Sequence, residues 1–288
     1  MTEKKQDQAM VAGVEDVHHQ EFQQSNNIIA FVTPAICIVL GYVIWRFILG
    51  NASGFTKPDD SSWLWPQHRG PLGPWHRMYE GGIIVPVLIG LLFMVLVFSI
   101  ERCLTISKAT GKGSNSNFVR QVQYHLAKKD VQAALSECDR QKGSVGNVMR
   151  VGLLRYKEMI TESELTTEQK IVSIQKEVEE ATALELPMMQ KNLVFLSTIT
   201  SLATLIALLG TVIGMIRSFA ALGDNGSAGA SELAVGISEA LYNTATGIAA
   251  SAFSLIMYNI FTTKIDSITY AIDELEFTLT QSFASLYK

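Results

Sequence analysis

The stretch LVFLSTITSLATLIALLGTVIGMI (residues 193–216) contains no Asp, Glu, Lys or Arg. As a helix rising 1.5 Å per residue it reaches about 36 Å, more than the roughly 30 Å of a bilayer's hydrocarbon core. Three further stretches read the same way: IIAFVTPAICIVLGYVIWRFIL (28–49), IIVPVLIGLLFMVLVFSI (83–100) and the run from Leu233 to Phe261. The composition agrees. Of 288 residues, 48% are hydrophobic and 17% charged, against about 25% charged in soluble domains. The chain reads as all-α and polytopic, with four transmembrane helices. The 28–49 span follows a mixed-charge segment and precedes a poor cleavage site at Gly50-Asn51-Ala52, so it reads as retained rather than as a signal peptide.

Lys and Arg placement gives an orientation. The segment 102–191 holds 14 of the 23 basic residues, whereas the 51–82 loop holds Lys57, Arg69 and Arg77 and the 220–232 connection holds none. The positive-inside rule then puts 102–191 and both termini in the cytoplasm. The expected order is a polar cytoplasmic N-terminus (1–27), a first span (28–49), a periplasmic Trp/Pro/Gly-rich loop (50–82) and a second span (83–101). A cytoplasmic helical domain (102–191), two polar spans (192–219 and 233–262, joined by the short loop 220–232) and a cytoplasmic C-terminal helix (263–288) follow. Trp63, Trp65, Trp75 and Tyr79 read as interfacial anchors. In the cytoplasmic part, Ile171, Ile174, Val178 and Ala181 form an apolar stripe on a charged helix; Thr166 or Thr167 caps it, and Pro187 bends or ends it.

Several chemistries are excluded. A net charge of −4 argues against nucleic acid. Adjacent His18 and His19 lack a chelating frame, GKGS (111–114) lacks P-loop spacing, and the three cysteines read as apolar fillers. No nucleophile–base set appears, so neither an enzyme, a cofactor nor a metal is expected.

The last two spans are unusually polar. Ser197, Ser201, Thr204, Thr211 and Ser218 fall on one stripe at steps of four, three, seven and seven, and Gly210 and Gly214 form a small-xxx-small pair. The fourth span brings Glu239, Asn243 and Thr246 onto one face, with Thr244 and Ser251 on a neighbouring face and Gly247 among them. Hydroxyls of membrane helices commonly bond back to their own carbonyls, and small residues serve packing. A carboxyl at membrane depth asks for more, since burying its charge costs several kcal/mol on most scales. Three readings stand: a pair with Arg217, a neutral hydrogen-bonded Glu239, or a wall of an ion path.

At ALLGTVIGMIRSF (207–219) and LAVGISEALYNTATGIAASAFSLIMYN (233–259) the chain resembles the ExbB/TolQ/MotA proton-channel family, ExbB most closely. MYEGGIIVPVLIGLLFMVLVFSIER (78–102) is similar to that family's opening span, and the likeness runs over about 78–265. The resemblance implies that Thr211, Glu239 and Thr244 line the proton path. Ser197, Ser201, Thr204, Asn243 and Thr246 are left as further pore or subunit-contact residues, and Gly210, Gly214 and Gly247 as close-packing positions. It also implies a homo-oligomer (a pentamer) in the bacterial inner membrane, an ExbD-like single-span protein in the pore bringing the protonatable aspartate, and a TonB-like load. Alternatives are a TolQ-like or motility load, or a structural scaffold. The 28–49 span and its loop are additions to the family's usual three spans, and Ile213 and Tyr242-Asn243 depart from its pattern.

Overall fold

The computed structural model describes residues 27–59, 62–66, 68–225 and 229–287. The polar segment 1–26, with His18 and His19, lies outside the described residues, as do 226–228 between the last two spans. Among the described residues, four helical segments are long and apolar enough to cross a membrane, and the protein is all-α and polytopic.

Asn27–Val43 form α1, which runs on as a π-helical turn over Ile44–Leu49. Cys37, Gly41, Trp45 and Leu49 recur every four residues as its buried stripe, while Val39, Val43, Phe47 and Ile48 are exposed. That stripe packs on α3 (Ile84–Thr110). A Cβ on Gly41 would lie 2.3 Å from the Pro86 carbonyl oxygen, so a glycine is needed for the two backbones to meet there.

The intervening loop carries a short antiparallel hairpin, β1 (Phe55–Lys57) with β2 (Arg69–Pro71), and α2 (Pro74–Glu80). An aromatic stack pins it to α1. The Trp45 ring lies between Trp65 (4.3 Å) and Tyr79 (4.4 Å), and its Nε1 donates to the Tyr79 carbonyl at 3.1 Å. The four aromatic anchors named from sequence therefore divide: Trp63 and Trp75 are exposed, Trp65 is half-buried and Tyr79 buried. Burial pushes the Tyr79 hydroxyl up to about 12, and it donates to the Pro66 carbonyl.

At the opposite end of the membrane helices stands a helical bundle: α4 (Asn115–Ala127), α5 (Val131–Gln141), α6 (Gly143–Thr161) and α7 (Thr167–Gln190). Asp130 caps α5 through the Ala133 N–H, and Thr166 with Gln169 closes a capping box on α7. Pro187 sits inside the last turn of α7 and does not end it. The break falls at Lys191 and Asn192, the latter at φ 65°. Arg102, 3% exposed, holds this corner: Nη1 donates to the Met188 and Met189 carbonyls (3.3 and 3.2 Å), carbonyls that the ending helix leaves unpartnered. Its guanidinium also pairs with Glu101, which accepts from Asn192 Nδ2 at 3.3 Å. Cys37 and Cys138 are buried fillers, and burial pushes the Cys138 thiol up to about 12; Cys103 is exposed.

α8 (Leu193–Asn225) and α9 (Gly229–Leu286) complete the chain. α9 has 58 residues. At 1.5 Å per residue it is about 87 Å long, nearly three hydrocarbon thicknesses. The expected boundary between the fourth span and the C-terminal helix, at 262/263, falls within one helix, which passes unbroken through Thr262, Thr263 and Lys264. Its far half buries Phe261, Ile265, Ile268, Ile272, Leu275, Leu279 and Phe283, a stripe at steps of three and four against α4, α6 and α7. Tyr156 meets Phe283 edge-on at 5.0 Å.

Glu276 stands at the margin of that packing. Burial, then the nearby Glu179 and Asp273 carboxylates, raise its carboxyl above the ordinary value, with an opposing bond from Gln175. A raised folded-state value favours the protonated form. Its stabilising contribution is complete below the ordinary carboxylate range and is lost as pH rises through the raised value. Glu276→Gln should therefore raise the thermal unfolding midpoint at neutral pH. It should also flatten the midpoint's pH dependence above the ordinary carboxylate range, read by circular dichroism of the full chain in detergent.

Candidate functional site: the α8–α9 pair

The polar residues of the two last spans are positioned by one close helix crossing. A Cβ added to Gly247 would lie 2.3 Å from Ala207 Cβ and 2.7 Å from the Ala203 carbonyl oxygen. Added to Gly214 it would meet Ala240 Cβ at 3.2 Å, and added to Gly210 it would meet Asn243 Nδ2 at 3.1 Å. The three glycines thus lie along the seam between α8 and α9. In lipid, association of helices depends on such packing and on hydrogen bonds between them. Two of those bonds come from Ser251, which the sequence marks only as a polar residue of the fourth span, and from Ser254. Ser251 Oγ donates to the Thr200 carbonyl at 2.5 Å, and Ser254 Oγ, fully buried, donates to the Leu196 carbonyl at 2.7 Å. Both serines share Gly247's side of α9, at steps of four and seven, which is the signal that marks them.

Asn243 is buried within this chain's own fold. It is 3% exposed, and its Nδ2 donates to the Gly81 carbonyl at 3.3 Å, across 162 residues of sequence. It ties α9 to the turn between α2 and α3. Glu239, one turn away and half-buried, lines a cavity of about 40 Å³ with Asn243, Gly81, Ile84, Gly214 and Arg217. The Arg217 guanidinium reaches over the same turn, 3.5 Å from where a Gly82 Cβ would stand. Glu239 and Arg217 therefore frame one small polar chamber at the loop end of the helix pair.

Thr211 looks elsewhere. It is half-buried beside an apolar groove formed with Val212, Met215, Ile216 and Phe219, and its Oγ1 donates to the Leu208 carbonyl at 2.6 Å. Thr244 and Thr246 bond back to the Ala240 and Tyr242 carbonyls (3.3 and 2.9 Å), as does Thr204 to Thr200 (3.5 Å). Ser197, Ser201 and Thr204 are exposed, and Ser201 donates to the Thr198 carbonyl at 3.2 Å. Ser218, read as the same stripe, is buried and bonds to the Gly214 carbonyl at 2.8 Å. The stripe divides because sevenfold steps drift by about 20° per heptad on a straight helix. Over the three heptads from 197 to 218 the drift reaches about 60°, turning the loop end into the seam.

Fold and site together define a multi-pass helical membrane protein whose last two spans carry a carboxyl and an arginine around one chamber and a separate hydroxyl-bearing face. Residues 142–274, covering α6 to the greater part of α9, match the family described as the MotA/TolQ/ExbB proton channel family. Over 76 residues the chain is 42% identical to biopolymer transport protein ExbB of Helicobacter pylori, covering 26% of this chain and 52% of that one. It is 36% identical over 75 residues to biopolymer transport protein ExbB of Aquifex aeolicus (26% and 51%). With Tol-Pal system protein TolQ of Pseudomonas aeruginosa it shares 28% over 137 residues (45% and 59%). The family match takes in the last two spans and most of the helical bundle, and the chain spans between 51% and 59% of the length of these relatives. α1, the hairpin loop and α3 precede the matched stretch.

The packing makes two predictions that differ in kind. Gly247→Leu drives a side chain into the Ala203 backbone and should cost roughly 1–3 kcal/mol or more, with loss of the assembled α8–α9 pair. Asn243→Leu keeps the volume but leaves the Gly81 carbonyl without its donor, a cost of about 1–3 kcal/mol. It should loosen the α2–α3 turn while sparing the seam. Site-directed disulfide cross-linking across α8–α9 and across Gly82–Arg217 separates the two outcomes.

Proposed function

We propose that this chain is the multi-span subunit of a proton-driven energiser of the ExbB/TolQ type, seated in the inner membrane with both termini cytoplasmic. In this reading several copies, five by the family resemblance, enclose a pore. An ExbD-like single-span partner inside it carries the acid that takes and releases the proton. The load is a TonB-like protein. The observation that carries the reading is the chamber holding Glu239 and Arg217, on a helix pair within the stretch that matches a proton-channel family.

The residues then have distinct roles. Thr211 and Thr244 offer hydroxyls to a path that hydrates as the partner's acid passes, since a hydroxyl both donates and accepts. Glu239 sets the field at the loop end of that path, with Arg217 as the neighbouring positive charge. Ser197, Ser201 and Thr204 extend the hydroxyl-bearing face of α8 toward the bundle end. The continuous α9 connects that face to the bundle, so that motion at the pore moves the cytoplasmic part. A TolQ-type load is the second reading, favoured by the match to TolQ extending over 45% of this chain.

Proton uptake by liposomes holding the chain and its partner tests the proposal. Glu239→Gln should cut partner-dependent uptake at least about tenfold, a barrier change of roughly 1.4 kcal/mol. Thr211→Val with Thr244→Val should cut it several-fold. Uptake unchanged in both Glu239→Gln and Glu239→Ala would sink the channel assignment and leave a packing scaffold.

A further inference from the structure

The loop that follows α1 does not simply leave the membrane. Tyr42 lies seven residues before Leu49, two helical turns inside the first span, or about 10 Å. Its hydroxyl donates to the Leu64 carbonyl at 2.5 Å, and Arg46 Nε donates to the Trp63 carbonyl at 3.1 Å. The chain that exits at Leu49 therefore comes back and lays residues 62–66 along the last two turns of α1.

Local structure decides which side chains face where. Ser62 Oγ accepts the Trp65 N–H at 3.2 Å, closing a short turn with Trp63 and Leu64 at its tip. Trp65 turns inward, stacked on Trp45 at 4.3 Å and against Tyr42 at 6.1 Å. Trp63 and Leu64 turn outward and are 77% and 63% exposed. They stand beside the exposed face of α1: the Arg46 that holds Trp63 lies over the Phe47 ring at 5.6 Å, and Phe47 and Ile48 are themselves exposed.

We infer that the Trp63–Leu64 tip is a wedge set into the bilayer interface beside α1, its ligand the headgroup–acyl boundary of phospholipid. α1 buries one residue in four against α3, and its exposed face, Val39, Val43, Phe47 and Ile48, is the one a spanning helix turns to lipid. A tip held against that helix inside its own length meets the same lipid. An indole with an adjoining leucine suits this depth, where an apolar body and a polar N–H are both satisfied. Trp65 supplies the pin and Trp63–Leu64 the wedge. The inference rests on the membrane fold and is independent of proton transport.

The test uses the full-length protein in phosphatidylcholine vesicles whose acyl chains carry bromine near the headgroup, compared with unbrominated vesicles. In a Trp75→Phe background, which removes the other exposed indole, Trp63→Phe should remove roughly half or more of the bromine-quenchable tryptophan emission, because Trp45 and Trp65 are shielded in the stack. Near-ultraviolet circular dichroism verifies that the stack survives. As a second measurement, Leu64→Cys carrying an NBD fluorophore, in a Cys103→Ser background, should emit to the blue and be quenched by the same lipids. Quenching unchanged by Trp63→Phe, or an NBD probe that stays water-exposed, overturns the inference. So does a tip that bromolipid leaves unquenched because a second copy covers it.

Discussion

Contact between backbones at Gly247 and Ala203–Ala207 sets the distance at which everything else in the membrane part operates. No hydrophobic force drives helices together in hydrocarbon, so the seam relies on close approach and on donors that reach across it. Because α8 and α9 come this near, Ser251 and Ser254 can reach the carbonyls of Thr200 and Leu196 without a long side chain. The same approach brings Glu239, Arg217 and Asn243 around one small chamber. A wider spacing would open that chamber to lipid.

Much of this was legible in the sequence, for physical reasons that also mark where legibility ends. The four spans follow from apolar length alone, and a threonine cap at 166 or 167 from neighbouring residues; that Thr166 takes it, with Gln169 closing the box, came from the structure. The small-residue positions at 210, 214 and 247 were readable because a seam in lipid has few other ways to form. What Asn243 does was not readable, since its partner carbonyl belongs to Gly81, 162 residues away, and helical periodicity says nothing about which neighbour a face meets. The hydroxyl stripe of α8 misled at its end, where accumulated drift put Ser218 into the seam. Tyr79 and Trp65 had the composition of interfacial anchors, but a buried Trp45 on α1 offered a stacking surface that composition does not disclose. The family resemblance located the polar helix pair and said least about the first 77 residues, where α1 and most of its loop lie.

The two ends of the membrane part are fastened by different chemistry. At the loop end, stacked rings join α1, the loop and α2 around Trp45, giving a large apolar contact. At the bundle end a single buried guanidinium closes off the carbonyls of α7 and reaches Glu101 and, through it, Asn192. The first fastening is broad and tolerant of small shifts. The second is directional, and a charged group left there without its partners would be costly.

The pair α8 and α9 is mechanically asymmetric. α8 meets the bundle through a corner at Lys191–Asn192, where the backbone leaves helical geometry, while α9 enters the bundle with its ladder of hydrogen bonds uninterrupted. A corner accepts a change of angle; a straight shaft passes on both bending and twist. If the two helices tilt together in the bilayer, α8 can take up the difference at its corner. α9 has no such relief, and the bundle packed along its far half must turn with it.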